Sequence, residues 1–329
     1  MTAAHRMRSG MTLAFIAVIA VLAALALVAA RASAGAARAA GRGSQEKIAF
    51  WDYVSGQIYT VNADGSGLAQ LTHVTGGVQA MYPEFSPNGK LIVFAVGNPT
   101  HPWRIWVMRA DGSHQRQLAT DTRGFRDSTP VYTPNGRAIV FSRCLPGDGV
   151  CAIWKMRADG THKQALTPYV PSGIHERVDF GPAVSPNGKR IAFLRFGSNG
   201  IQAQIYLINA DGTEPHALTR PSLEASAPAW SPDSRWIAFN SNNNRTGSHI
   251  FVIRSNGRDL RRLTPSRFPH NDVGPRYSPD GKQIAFSSDR RYTDGCCFDL
   301  FEMRADGSGE QRVNVNLHHA GILDPVWQP

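Results

Sequence analysis

One phrase recurs along this chain and restricts its fold more than any other feature. It reads PEFSPNGKLIVF at 83–94, PVYTPNGRAIVF at 130–141, PAVSPNGKRIAF at 182–193, PAWSPDSRWIAF at 228–239 and PRYSPDGKQIAF at 275–286. Its Ser/Thr falls at positions 86, 133, 185, 231 and 278, giving spacings of 47, 52, 46 and 47. Repeats of roughly 40–50 residues made only of strand signals point to a β-propeller.

Two shorter phrases complete each unit. The second reads IYTVNADG (58–65), IWVMRADG (105–112), IWKMRADG (153–160), IYLINADG (205–212), IFVIRSNG (250–257) and LFEMRADG (300–307). The third is QLT, QLA, ALT, ALT, RLT or RVN, ending at 72, 119, 167, 219, 264 and 314. The chemistry of these phrases predicts four strands per unit. In Ser-Pro-Asn/Asp-Gly, proline supplies φ near −65° and glycine a positive φ, which makes a tight turn between the first two strands, A and B. Asp-Gly or Asn-Gly between strands C and D is a short hairpin signal. The Ile-Ala/Val-Phe and Ile-aromatic stretches alternate with period two, as half-buried strands do. Ser234 stands where the other units have the turn glycine, a left-handed position that costs a non-glycine residue about 1–2 kcal/mol.

Strand B occurs six times, beginning with KIAF at 47–50, and that first copy has no Ser-Pro phrase before it. The missing piece is Asp324-Pro325-Val326-Trp327-Gln328-Pro329 at the other end, which matches the Pro-Ala-Trp-Ser-Pro of the fifth unit. We therefore expect an all-β, six-bladed propeller of four-stranded blades over residues 47–329. The C-terminal strand completes the first blade and closes the ring, which removes exposed sheet edges.

Residues 11–30 are apolar except Thr12, follow His5, Arg6 and Arg8, and precede Ala32-Ser33-Ala34. That is the order of a secretory signal. The run is also long enough to span a bilayer. Residues 1–34 are read as a signal peptide, cleaved after Ala34, or as an N-terminal membrane anchor. Residues 35–46, small and polar, are read as a flexible linker. Either way the propeller is exported: periplasmic, extracellular, or membrane-anchored facing outward.

The net charge of +10 is uneven. Residues 1–46 hold five Arg and one Glu, so the remainder has 35 − 5 = 30 basic and 25 − 1 = 24 acidic groups. No Lys/Arg run concentrates this excess, which argues against a nucleic-acid partner.

The Pro-x-aromatic-Ser-Pro-Asp-Gly-Lys-x-Ile-Ala-Phe and Met-Arg-Ala-Asp-Gly phrases resemble the WD-like repeats of the TolB-type propeller family. They also resemble the propellers of the prolyl oligopeptidase group. The resemblance covers nearly all of 47–329 and implies a propeller scaffold more than any one activity. TolB carries an α/β domain before its propeller; here a short linker stands in that place, so the chain reads as a stand-alone propeller. The sequence has no Gly-x-Ser-x-Gly elbow, so the peptidase reading fails.

On a propeller the A–B and C–D turns lie on one face and the B–C and D–A loops on the other. The latter vary in length here, and variable loops on a rigid scaffold are where sites form. Counting back three from the blade-starting Pro gives an Asp in three units, Asp127, Asp179 and Asp272. Beside them lie Arg126, His175, Glu176, Arg177, His270 and Asn271, with His318 and His319 in the last such loop. These residues form the expected ligand- or partner-binding face. Asp127, Asp179, Asp272, His175 and His270 are candidate ligands for a divalent cation, whose donors come from these types. The plainer reading is that each Asp caps its own loop. His175-Glu176-Arg177-Val178-Asp179 lacks the second His and the helical spacing of a zinc motif. Asn242-Asn243-Asn244-Arg245 and Asp289-Arg290-Arg291-Tyr292 are further polar loops.

Cys144 and Cys151 flank one B–C loop and are placed for a hairpin-end disulfide, which export allows. Cys296 and Cys297 are adjacent, and either a vicinal disulfide or free thiols fits them. No catalytic residues are assigned and no cofactor is required. The function expected is a non-catalytic, monomeric binding propeller of the bacterial cell envelope, holding a protein, peptide or glycan. The alternative is a metal-assisted lyase or hydrolase acting on sugars or lactones at the channel mouth.

Overall fold

The computed structural model describes residues 46–118, 123–146, 150–169, 178–196, 203–243, 247–265, 270–292, 297–317 and 321–329. The signal or anchor segment 1–34 and all of the linker but Glu46 lie outside the described residues. Among the described residues no helix is long and apolar enough to cross a membrane.

Blade one opens with β1 (Lys47–Asp52), β2 (Gln57–Asn62) and β3 (Ala69–Gln70). Blade two is β4 (Gln79–Phe85), β5 (Leu91–Gly97), β6 (Arg104–Arg109) and β7 (Arg116–Gln117). Blade three is β8 (Arg126–Tyr132), β9 (Ala138–Cys144), β10 (Cys151–Arg157) and β11 (Gln164–Ala165). Blade four is β12 (Val178–Val184), β13 (Arg190–Phe196), β14 (Ala203–Asn209) and β15 (His216–Ala217). Blade five follows a short 3-10 turn, Pro221–Leu223, as β16 (Ala225–Trp230), β17 (Trp236–Asn243), β18 (Gly247–Arg254) and β19 (Arg261–Arg262). Blade six is β20 (Asp272–Tyr277), β21 (Gln283–Ser288), β22 (Asp299–Arg304) and β23 (Gln311–Arg312). The last strand, β24 (Ile322–Trp327), pairs antiparallel with β1 and completes blade one.

The repeat phrases fold this way for local reasons. In the A–B turn, Ser86 Oγ donates to Asn88 Oδ1 and accepts from the Leu91 N–H. The same hydroxyl-to-Asx contact recurs at Thr133, Ser185, Ser231 and Ser278. Ser234 adopts φ 60°, so it takes the left-handed conformation its glycine counterparts take. The closing Thr of the third phrase extends strand D's ladder by side chain. Thr72, Thr167, Thr219 and Thr264 each accept, through Oγ1, the N–H of the isoleucine in strand C that begins the second phrase.

Strand B carries one fully buried phenylalanine per blade: Phe50, Phe94, Phe141, Phe193, Phe239 and Phe286. These rings fill the seams between blades, where apolar burial contributes about 25 cal/mol per Å2. Cys144 and Cys151 face each other across β9 and β10 and are joined by a disulfide.

Every innermost strand has the same irregularity. The residue before the proline has positive φ: Tyr82 (56°), Thr129 (47°), Gly181 (61°), Ala227 (50°), Gly274 (62°) and Asp324 (48°). The strand register shifts at each of these positions. Proline has no N–H to give the ladder, so a bulge lifts it out of the pairing. The bulge turns this part of each strand toward the central axis.

Candidate ligand-binding channel

Six bulges make two stacked rings around the axis. The upper ring, nearer the B–C and D–A loops, is Tyr82, Thr129, Gly181, Ala227, Gly274 and Asp324. The lower ring, one residue past each proline, is Glu84, Val131, Ala183, Ala229, Arg276 and Val326. The loop-side cavity encloses about 270 Å3 and takes its walls from the upper ring, Gly274 apart, together with Phe180, Leu194 and Ser226. A second cavity of about 200 Å3 lies toward the turn face, walled by the lower ring with Tyr132, Trp230, Tyr277 and Trp327. Glu84, Val131 and Arg276 line both, so they mark the waist of the channel.

The walls are chemically uneven. Blades three, four and five present Thr129, Val131, Phe180, Leu194, Ala183, Ala227 and Ala229. Blades six, one and two present Arg276, Asp324 and Glu84. Trp51 donates from Nε1 to Asp324 Oδ2 at 3.0 Å. Tyr82 lies against Trp51, with centroids 6.0 Å apart, and meets Phe180 edge-on at 6.4 Å.

Burial raises the pKa of both Glu84 and Asp324, and the Arg276 charge opposes this. Each carboxyl still meets the channel space, since both are only half-buried by surface exposure. Burial likewise raises the Tyr82 hydroxyl. Two carboxylates and one guanidinium leave a net charge near −1 when all are ionised, held where desolvation makes it costly.

A folded pKa above the unfolded value means stability present at low pH and lost as pH rises through the folded pKa. Glu84→Gln or Asp324→Asn removes that loss and leaves the other carboxylate to balance Arg276. Each variant is expected to be more stable than the parent at pH 7 by on the order of 1 kcal/mol, with the difference gone at about pH 4. Thermal melts at both values check this; an equal loss of stability at both would refute it.

The residues expected on the loop face have other settings. Asp127, Asp179 and Asp272 are not brought together; each is buried in its own blade beside an arginine. Asp127 receives Arg143 Nε and Nη2, both at 2.7 Å. Asp179 receives Arg195 at 2.7 and 2.9 Å. Asp272 receives Arg290 Nη2 at 2.8 Å and faces His270 Nε2 at 3.0 Å. Arg126 is exposed at the start of β8. Asn271 is bonded to Asp289 through its amide N–H and side chain. His175, Glu176, Arg177, His318, His319, Asn244, Arg245 and Cys296 lie outside the described residues. Cys297 is a buried free thiol.

The sequence reading missed the channel trio. Its signal was the x of Pro-x-aromatic, which is Val or Ala in four units but Glu84 and Arg276 in two. Asp324 was a second signal, as the acidic member of the pre-proline set.

A profile of the TolB beta propeller domain matches residues 174–329. Over that stretch, just under half of the chain, the repeats are TolB-type. An uncharacterized protein of Agrobacterium fabrum is 36% identical over 94 residues, a stretch that takes in 26% of this chain and 30% of that relative. The crystal structure of TolB from Acinetobacter baumannii superposes with a TM-score of 0.67 at 17% identity, covering 87% of this chain and 67% of that one. An oligogalacturonate lyase in complex with manganese gives 0.52 at 14% identity, covering 80% and 71%. At these identities the likeness of the solved structures to this propeller is one of fold.

Proposed function

We propose that this TolB-type propeller is a binding module outside the cytoplasm that receives a segment of a protein or peptide partner in the loop-side half of its channel. A lysine or arginine of that segment sets against Glu84 and Asp324. The carrying observation is the division of the channel wall into an apolar half and a half with two partly desolvated carboxylates and one arginine. A cavity of about 270 Å3 is at the small end for ligand sites. It suits one or two side chains better than a whole cofactor. A cationic side chain would offset the excess carboxylate charge, and Tyr82 and Phe180 offer ring faces to it.

The reading as a metal-assisted lyase or hydrolase at the channel mouth has less support. Among the described residues, those lining the channel include no histidine or cysteine. Arg276 lies beside the two carboxylates and opposes a divalent ion there. Export is supported by the order of basic residues, apolar run and Ala-Ser-Ala in residues 1–34.

An array of random peptides probed with the purified full chain tests the proposal. The expected binders are enriched in Lys or Arg next to aromatic or aliphatic residues. Glu84→Gln and Asp324→Asn should each weaken those binders about tenfold, a loss of about 1.4 kcal/mol. Binders that are acidic, or that hold both variants as tightly as the parent, would overturn it.

A further inference from the structure

We propose that His249, His270 and Asp272 form a site for a divalent transition-metal ion, zinc by preference, at the seam between blades five and six. Nothing in the channel reading depends on it.

The three residues come from different parts of the fold. His249 lies on β18, the third strand of blade five. His270 lies in the connection to blade six, and Asp272 opens β20. Strand pairing alone does not require these side chains to meet, yet one donor atom from each lies within 4.8 Å of the others. His270 Nε2 and Asp272 Oδ2 are 3.0 Å apart, and the two imidazoles meet edge-on with centroids 5.4 Å apart. A tetrahedral ion with bonds of about 2.0–2.1 Å spaces its ligands roughly 3.3 Å from one another. The His270–Asp272 pair is near that spacing, and His249 offers a donor within 4.8 Å of both. Two imidazoles and one carboxylate are a donor set that suits zinc and leave a fourth position for water.

The surroundings hold the ligands as a metal site requires. Asp272 divides its two oxygens: Oδ1 accepts Arg290 Nη2 at 2.8 Å, and Oδ2 faces His270. Arg290 is matched on its other arm by Glu310 Oε2 at 2.7 Å and lies over the Phe301 ring at 4.6 Å. It thus orients the carboxylate without bringing an unbalanced charge, as hydrogen-bond donors behind ligating carboxylates do. His249 and Asp272 are almost fully buried, while His270 keeps 9% of its side chain exposed, which gives an ion a way in.

The backbone is shaped for this approach. Gly247, at the start of β18, has φ 85°, and a Cβ there would sit 2.1 Å from the His270 carbonyl oxygen. Only glycine lets the strand carrying His249 come so close to the segment carrying His270. A bound ion would tie blade five to blade six.

The test uses the full chain without a histidine tag, stripped with a chelator and titrated with Zn2+ alone by calorimetry and with Co2+ alone by visible absorption. The expected result is one saturable equivalent per chain, with the intense bands of tetrahedral Co2+ and a rise in Tm on adding Zn2+. His249→Gln and His270→Gln should each weaken binding about a hundredfold or more. Their melting in chelator should stay within a few degrees of the parent. If either variant fails to fold, the parent's Co2+ spectrum decides alone, because pale octahedral bands or none would refute the site. No saturable Zn2+ binding below about 1 mM, a Kd equivalent to about 4.1 kcal/mol, would overturn the proposal. So would two folded variants that titrate like the parent.

Discussion

Deleting the last eight residues, Ile322 to Pro329, is expected to unfold the propeller cooperatively. The deletion removes only β24, but β24 is the innermost strand of blade one and the closure of the ring. It pairs Ile48 with Trp327, Ala49 with Val326, Trp51 with Leu323 and Asp52 with Ile322. Ile322, Val326 and Trp327 are each at least 94% buried. Burial of such side chains is worth about 1.5–3 kcal/mol apiece. The backbone ladder and the Trp51–Asp324 hydrogen bond go with them. The loss approaches the whole net stability of a typical domain, about 5–15 kcal/mol. It also bares β1 as an unpaired edge. Thermal melts and limited proteolysis of the shortened chain check this. A sharp melt at the parent's Tm would show that the ring does not need its last strand.

Asp127→Ala is expected to be the most damaging single substitution on the loop side, at about 3–5 kcal/mol. The Arg143 side chain is 1% exposed. It is sandwiched among Phe125, Phe141 and Trp154, with its guanidinium 4.9–5.6 Å from their centroids. Without Asp127 its charge remains buried and has lost its bidentate partner. The double substitution Asp127→Ala with Arg143→Met should recover most of the loss, because an apolar replacement of a buried pair is often neutral. The matching change in blade four, Asp179→Ala, should cost less, since Arg195 is 11% exposed and can reach water. Urea unfolding of the four proteins measures these differences. Equal, small effects for both aspartates would contradict the account.

Blade number, strand order and ring closure were legible in the sequence because the turn chemistry repeats with every unit. Pro sets φ, Gly takes the left-handed position, and Ser or Thr closes the turn onto Asx. The bulge was not legible, because a proline inside an inner strand reads the same whether the ladder breaks before it or bends around it. That gap hid the channel lining, since the bulge decides which residues face the axis. The loop-face reading weighed Asp127, Asp179 and Asp272 as metal ligands or loop caps. It did not weigh an arginine on the neighbouring strand, although Phe141-Ser142-Arg143 and Phe193-Leu194-Arg195 place one at matching positions in two blades. His249 was not among the candidate residues. Gly247–Arg254 is strand, and its first residues, close to the connection to blade six, bring that ring to His270.

The central claim is that the channel, not the exposed outer surface, holds the partner segment. Photo-cross-linking tests it most directly. A benzophenone amino acid is placed at Phe180, in the apolar channel wall, and separately at the exposed Leu260. Each protein is irradiated with a basic peptide selected on the array. The account predicts an adduct through position 180, abolished by excess unlabelled peptide, and none through position 260. Equal labelling at both positions, or labelling at 260 alone, would contradict it.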